Sequence, residues 1–231
     1  ATPIGIPAAL MLALGLAPLW HRWDVSRRWN LLNYDYSRNV LLSVPRGATL
    51  VSKKDVPLFT LWYAQAVEGL RPDVKVVAQG LAASPWYQQA RRRAGDTARL
   101  MPLREPADWA RFAALNGDAY VTTDAELPGG LTLGPPRGLI VSLSTSAAYS
   151  EDVWRFIARR GDYRYDAQPD FYSSDLIEAY AVTRQRAGSW LVEHGREAEG
   201  ERPLRLGWAM KRLMPDAAMF LAYGAFRRGR L

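Results

Sequence analysis

The chain has no cysteine, only two histidines and no initiator methionine among its 231 residues. Without cysteine there is neither a disulfide nor a thiolate metal site, and the redox state of the compartment is left open. His21 and His194 lie far apart and show no ligand spacing, so no metal is expected. A Gly-rich phosphate loop of the Walker or dinucleotide-binding form is absent, as is a Ser nucleophile elbow. Metal-dependent and triad chemistry therefore have no support, and no cofactor is expected. With no starting methionine, the chain reads as a piece of something longer.

What is present is an ordinary globular composition, 48% hydrophobic and 23% charged, enough to bury a sizeable core. The net charge of +7 would suit nucleic acid or an anionic membrane. Arginine supplies most of it in an alanine-rich chain, as GC-rich coding produces, so the charge alone assigns no partner. Arg91, Arg92 and Arg93 are consecutive and fan around a predicted helix instead of lining one face. No aromatic stacking positions accompany them, so nucleic acid is not an expected partner.

From Ile4 to Trp20 no side chain is charged. Seventeen residues are the short end of what crosses a hydrocarbon layer as a helix, where Pro7 and Pro18 are better tolerated than in water. His21, Arg22, Trp23, Arg27, Arg28 and Trp29 close the run with the indoles and guanidiniums that favour a membrane interface. A signal peptide would need a basic start and a small-residue cleavage site, and neither is there. A buried core helix is the competing reading. Residues 1–22 are thus expected to form a last transmembrane helix, and 23–44 a connecting helix ended by Pro45.

Residues 45–170 have the pattern of an α/β domain. A β-type run at 48–52, a helical run at 56–70 and a second β-type run at 74–78 form a strand-helix-strand unit whose strands should lie parallel. Further strands are predicted at 119–122 and 139–143, and helices at 85–94, 107–115 and 151–160. The fold class is α/β, a small parallel-type sheet of about four strands flanked by helices. Residues 171–231 then carry only helical spacing, at 173–194, 202–213 and 217–228. Trp190, Leu191, Gly195, Leu206, Ala209 and Pro215 resemble a tetratricopeptide (TPR) helix pair, although one copy establishes no period.

Ser52-Lys53-Lys54-Asp55 follows the first strand and opens a helix. In an open α/β sheet such a loop is where ligands bind, because free backbone N–H groups and the helix dipole point into the crevice. Asp55 is read as the helix N-cap, with a ligand contact as the alternative. Lys53 and Lys54 either bind an anion or are simply solvated.

At this point the chain resembles a known family. The stretches Asn33-Tyr34-Asp35-Tyr36-Ser37-Arg38-Asn39, Leu61-Trp62-Tyr63-Ala64-Gln65 and Glu68-Gly69-Leu70-Arg71-Pro72-Asp73-Val74, with Asp55 between them, are similar to the C-terminal part of bacterial membrane proteins related to the transmembrane protein O-mannosyltransferases. The likeness covers roughly residues 15–90. It departs at the loop, where Pro57 stands in place of the family's second acidic residue. The resemblance implies a polytopic glycosyltransferase-C-like membrane protein using a lipid-linked sugar, with its catalytic acids upstream of this chain. It implies a bacterial inner-membrane location, a periplasmic soluble part, and acceptor protein, glycan or a partner subunit as what that part binds. Membrane lipid and lipid-linked sugar would be partners of the upstream region. The candidate ligand or acceptor contacts are Lys53, Lys54, Asp55, Trp62, Tyr63, Arg71 and Asp73. The positive charges on the soluble side of the apolar run argue for the opposite orientation. Two alternatives remain: a stand-alone protein-binding module with helical repeats, and a soluble anion- or nucleic-acid-binding α/β protein.

Overall fold

A computed structural model describes residues 11, 12, 14–16, 30–160, 169–211 and 215–229. Most of the apolar N-terminal run, and with it the expected transmembrane helix, lies outside the described residues. Among those described, no helix is long and apolar enough to cross a membrane.

The order of elements is α1 (Leu32–Ser43), β1 (Thr49–Ser52), α2 (Asp55–Ala66), β2 (Lys75–Ala78), α3 (Pro85–Arg93), α4 (Pro106–Asn116), β3 (Ala119–Thr122), β4 (Pro136–Arg137), β5 (Ile140–Ser142), α5 (Phe171–Glu193), α6 (Glu197–Met210) and α7 (Pro215–Arg227). The connecting helix expected from residue 23 starts later in the described part, since Asn30 and Leu31 are not helical.

β1 lies at the centre of the parallel region, pairing with β2 from Thr49↔Lys75 to Ser52↔Ala78 and with β3 from Thr49↔Ala119 to Val51↔Val121. All four of its residues are buried. Alternation sends Leu50 into a core shared with α1, α2 and the first half of α5, while Val51 enters a second core with Trp109 and Phe112 of α4. Helices therefore cover both faces, which is why the strands read as continuous apolar runs instead of alternating ones.

The sheet has five strands in the order β2-β1-β3-β5-β4 and is mixed, correcting the expected four-stranded parallel type. β5 runs antiparallel to β3 and to β4. A parallel return needs a crossover of a dozen or more residues, usually helical. The link between β3 and β5 carries Pro128, Gly129, Gly130, Gly134, Pro135, Pro136 and Gly138, and cannot form that helix.

The helix expected at 151–160 is only a 3₁₀ turn, Asp152–Arg155. Side chains of α1 capture the backbone beyond it. Asn39 Nδ2 donates to the Ala158 carbonyl at 2.6 Å and its Oδ1 accepts from the Ala158 N–H at 3.2 Å. Asp35 accepts from the Arg160 N–H at 2.5 Å and from its guanidinium at 2.9 and 2.6 Å. The Ala158 N–H and C=O and the Arg160 N–H, bonded sideways in this manner, are not left for helical bonds.

α5, α6 and α7 pack together as the tail, with Ala181, Val192, Leu204 and Ala217 forming its buried cluster. α6 begins at Glu197, five residues before the predicted start, and runs through Pro203, whose ring is buried. α5 is capped by Asp170, whose carboxylate accepts from the Ser173 N–H at 2.7 Å.

Candidate functional site

β1 leads through α2 to β2 on one side, while the connections from β3 leave toward β5 on the other, so the carboxyl ends of β1 and β3 form a topological switch point. Open α/β sheets bind ligands in that crevice. Ser52, Lys53 and Lys54 stand there, as the sequence predicts, but the crevice is filled from within. The Asp124 carboxylate, two residues beyond β3, accepts from Ser52 Oγ at 2.9 Å, from the Lys53 N–H at 2.7 Å and from the Lys54 N–H at 2.9 Å. The donors that would cradle an external oxyanion are bonded to a side chain of the chain itself.

The two lysines are also engaged. Lys53 pairs with Glu126, and Lys54 Nζ donates to Asp175 of α5 at 2.6 Å, a bond that raises the Lys54 pKa. Gln79, just past β2, ties the same loop with bonds of 2.7 Å to the Glu126 carbonyl and 2.9 Å from the Glu126 N–H. Behind the crevice lies Tyr36, fully buried, its hydroxyl without a partner among the described residues. Burial, and then the charge of Asp124, raise its pKa well above the ordinary phenol range. Among the described residues no group of three or more His, Cys, Asp or Glu could hold a metal ion.

Asp55 is not the N-cap. Lys54 occupies that position with no side-chain cap bond, and Asp55 is the exposed first helical residue. The capping reading fails because Asp55 already lies within the helix, while Asp124 binds the N–H groups of Lys53 and Lys54 just ahead of it from across the sheet. The Asp124 carboxylate belongs to a loop about seventy residues away in sequence, so local spacing gave no sign of it. The one legible signal was Asp124 itself, an acidic residue just past the carboxyl end of a predicted strand.

Arg71 and Asp73 are brought together at the opposite end of the strands, where they form a clasp. The Arg71 guanidinium donates to the carbonyls of Leu41, Val44 and Pro45 at 2.7, 2.9 and 3.0 Å and to both Asp73 oxygens at 2.8 and 2.9 Å. Asp73 in turn accepts from the Gly47 N–H at 2.9 Å. With these bonds the guanidinium supports the carbonyls at the end of α1, where the Leu41 carbonyl also accepts from the Val44 N–H at 3.3 Å. Trp62 is half-buried against the core behind Phe59, and Tyr63 is exposed. The seven candidates thus divide between crevice (Lys53, Lys54, Asp55), clasp (Arg71, Asp73) and the outer side of α2 (Trp62, Tyr63).

Residues 33–121 match the family described as TMEM260-associated domain 2. The matched span runs from α1 to β3 and contains the clasp, the βαβ unit and every candidate side chain. It stops short of Asp124 and of the helical tail. Over 61 residues the chain is 38% identical to the protein O-mannosyl-transferase TMEM260 of Mus musculus, a stretch that is 26% of this chain and 9% of that protein. No solved structure matches. The family match therefore lies within the sheet domain and the helix that leads into it.

Asp124→Ala tests the filled crevice. Losing one acceptor for three donors costs about 2 kcal/mol of stability. The emptied cradle, still flanked by Lys53 and Lys54, then takes an oxyanion. Phosphate in place of chloride is expected to raise the melting temperature of Asp124→Ala and to leave the native chain unchanged. Equal responses of the two proteins would show that Asp124 does not hold the site.

Proposed function

We propose that this chain is the non-catalytic, extracytoplasmic C-terminal part of a polytopic membrane glycosyltransferase of the protein O-mannosyltransferase kind. That protein would use a lipid-linked sugar donor in a bacterial inner membrane, with this part in the periplasm binding acceptor protein, glycan or a partner subunit. The observation that carries the reading is the match of residues 33–121 to TMEM260-associated domain 2. The identity to the mouse O-mannosyl-transferase and the charge-free run from Ile4 to Trp20 support it. The non-catalytic part of the reading rests on the crevice, where Ser52, Lys53, Lys54 and Asp124 all have partners within the chain.

The test uses the complete membrane protein in a glycosyl-transfer assay. Lys53→Gln, Lys54→Gln and Asp55→Asn are expected to keep the turnover number within about twofold of the native enzyme. A fall of about 100-fold in any of them, at an unchanged melting temperature, would make the crevice catalytic and overturn the reading.

A second reading, a protein-binding module with helical repeats, is favoured by one feature. Met219, Tyr223 and Phe226 are exposed on α7, spaced as one helical face. Several hydrophobic spans encoded upstream of Ala1 would decide for the glycosyltransferase, and a start codon beside Ala1 for the module.

A further inference from the structure

Large apolar side chains cluster in the open beside the start of α1. Phe59, Tyr63 and Val67 follow one another at i, i+4 and i+8 along α2 and its C-cap, with 56%, 54% and 65% of their surface exposed. Phe171 and Tyr172, at the first turn of α5, are 78% and 62% exposed and pack edge to face with centroids 5.4 Å apart. Phe59 and Tyr172 line one shallow depression with Asn30, Asn33, Val56, Thr60, Ser173 and Asp170, the cap of α5. The two groups are therefore one patch, in which phenyl and phenol rings are interleaved with amides and hydroxyls, and its one carboxylate, Asp170, is turned to the Ser173 N–H as the cap of α5. Single exposed apolar residues need no explanation, but five converging from two helices do.

The position of Asn30 says what covers the patch. Asn30 lies in the depression and is ten residues after Trp20, where the charge-free run ends. Ten residues span at most about 35 Å fully extended. If the run from Ile4 to Trp20 is held in a bilayer, the patch cannot be farther than that from its surface. The composition suits the headgroup boundary, since Tyr and Phe present apolar rings to the acyl region while phenol and amide groups stay hydrated. We propose that this patch is a membrane-docking surface, through which Phe59, Tyr63, Phe171 and Tyr172 rest the domain on the bilayer that holds the apolar run. The inference deepens the membrane reading above and rests on it. Docking fixes the domain with one edge down, so that α2 faces lipid and α4, on the other side of the sheet, faces away.

The chain lacks cysteine, so single cysteines report cleanly. Phe59→Cys, Tyr172→Cys and, as a reference on α4, Leu115→Cys are all at exposed positions that leave the cores intact. Each full-length variant carries a bimane label and is bound to phosphatidylcholine vesicles, with brominated lipid and aqueous iodide as quenchers. Labels at 59 and 172 are expected to be quenched by brominated lipid about twofold or more beyond the label at 115, and to be shielded from iodide, as for side chains at the headgroup boundary. Vesicle-bound protein whose labels at 59 and 172 are as open to iodide as the one at 115 would overturn the docking surface and leave the membrane reading standing. Shielding from iodide without quenching by lipid would mean that a second copy covers the patch, which also overturns it. Failure of the full chain to float with vesicles would remove the membrane reading, and the docking surface with it.

Discussion

Arg71→Ala lowers the unfolding free energy by about 3 kcal/mol, because three carbonyls and a carboxylate lose one shared charged donor. The carbonyls belong to the end of α1 and the turn into β1, so the loss frays the junction that feeds the central strand. Arg71→Lys recovers only part of it. An ammonium is a point donor on a flexible stem and cannot span the fork between Leu41, Val44, Pro45 and Asp73. Arg71 also holds φ +46, a strained value for a side-chain-bearing residue, which the array of bonds to its guanidinium sustains. Urea titration followed by far-UV circular dichroism measures both variants. A midpoint for Arg71→Ala equal to the native one would show the clasp to be ornamental.

The same clasp sets a pH dependence. The Arg71 guanidinium beside Asp73, with the Gly47 N–H behind it, holds the Asp73 carboxyl well below the usual carboxylate range. A folded pKa below the unfolded value of about 3.9 gives stability that is present above that value and is lost as pH falls through the folded pKa. Native protein should therefore lose this contribution progressively below about pH 4, and Arg71→Ala should lose little there because most of it is already gone. Melting temperatures of the two proteins are expected to converge as pH is lowered from neutral toward that range.

Much of the sheet domain was legible because its signals are local. Ala119–Thr122 appears where its apolar run predicts, and β1 and β2 start one residue inside theirs, since runs of three or four consecutive buried residues leave little choice of period. The motifs were legible as a resemblance but not as chemistry. Asp35 and Asn39 resemble surface polar residues of a helix, yet they are buried and bind a strap some 120 residues away. Arg71 and Asp73 resemble a ligand-facing pair, yet their partners are the carbonyls of α1. Asp124 binds the backbone just ahead of α2 for the same reason. Side chain to backbone bonds between distant segments carry no periodicity, so spacing along the chain cannot announce them. The antiparallel return of β5 is different, for the prolines and glycines before it already ruled out a helical crossover.

Gly200→Leu is expected to be the most damaging change in the tail. Gly188 on α5 and Gly200 on α6 face each other so closely that a Cβ on Gly200 would sit 2.7 Å from the Gly188 carbonyl oxygen and 2.9 Å from Val192 Cγ2. A Cβ on Gly188 would meet Leu204 Cγ at 2.4 Å and the Gly200 carbonyl oxygen at 2.8 Å. In an open helix Gly→Ala would gain about 1 kcal/mol of propensity. Here the obstructing atoms are backbone on the facing helix, so the side chain can be housed only by moving α6 away from α5. That movement withdraws Leu204 from the cluster it completes with Ala181, Val192 and Ala217. A forced separation of this kind costs roughly 3 kcal/mol for a leucine side chain, against a small propensity gain. Ala198→Leu, on the exposed side of the same helix, is the control and should change stability by no more than about 0.5 kcal/mol. Thermal melts followed by far-UV circular dichroism separate the two. A Gly200→Leu protein that melts with the control would mean that the two helices are not in backbone contact at Gly188 and Gly200.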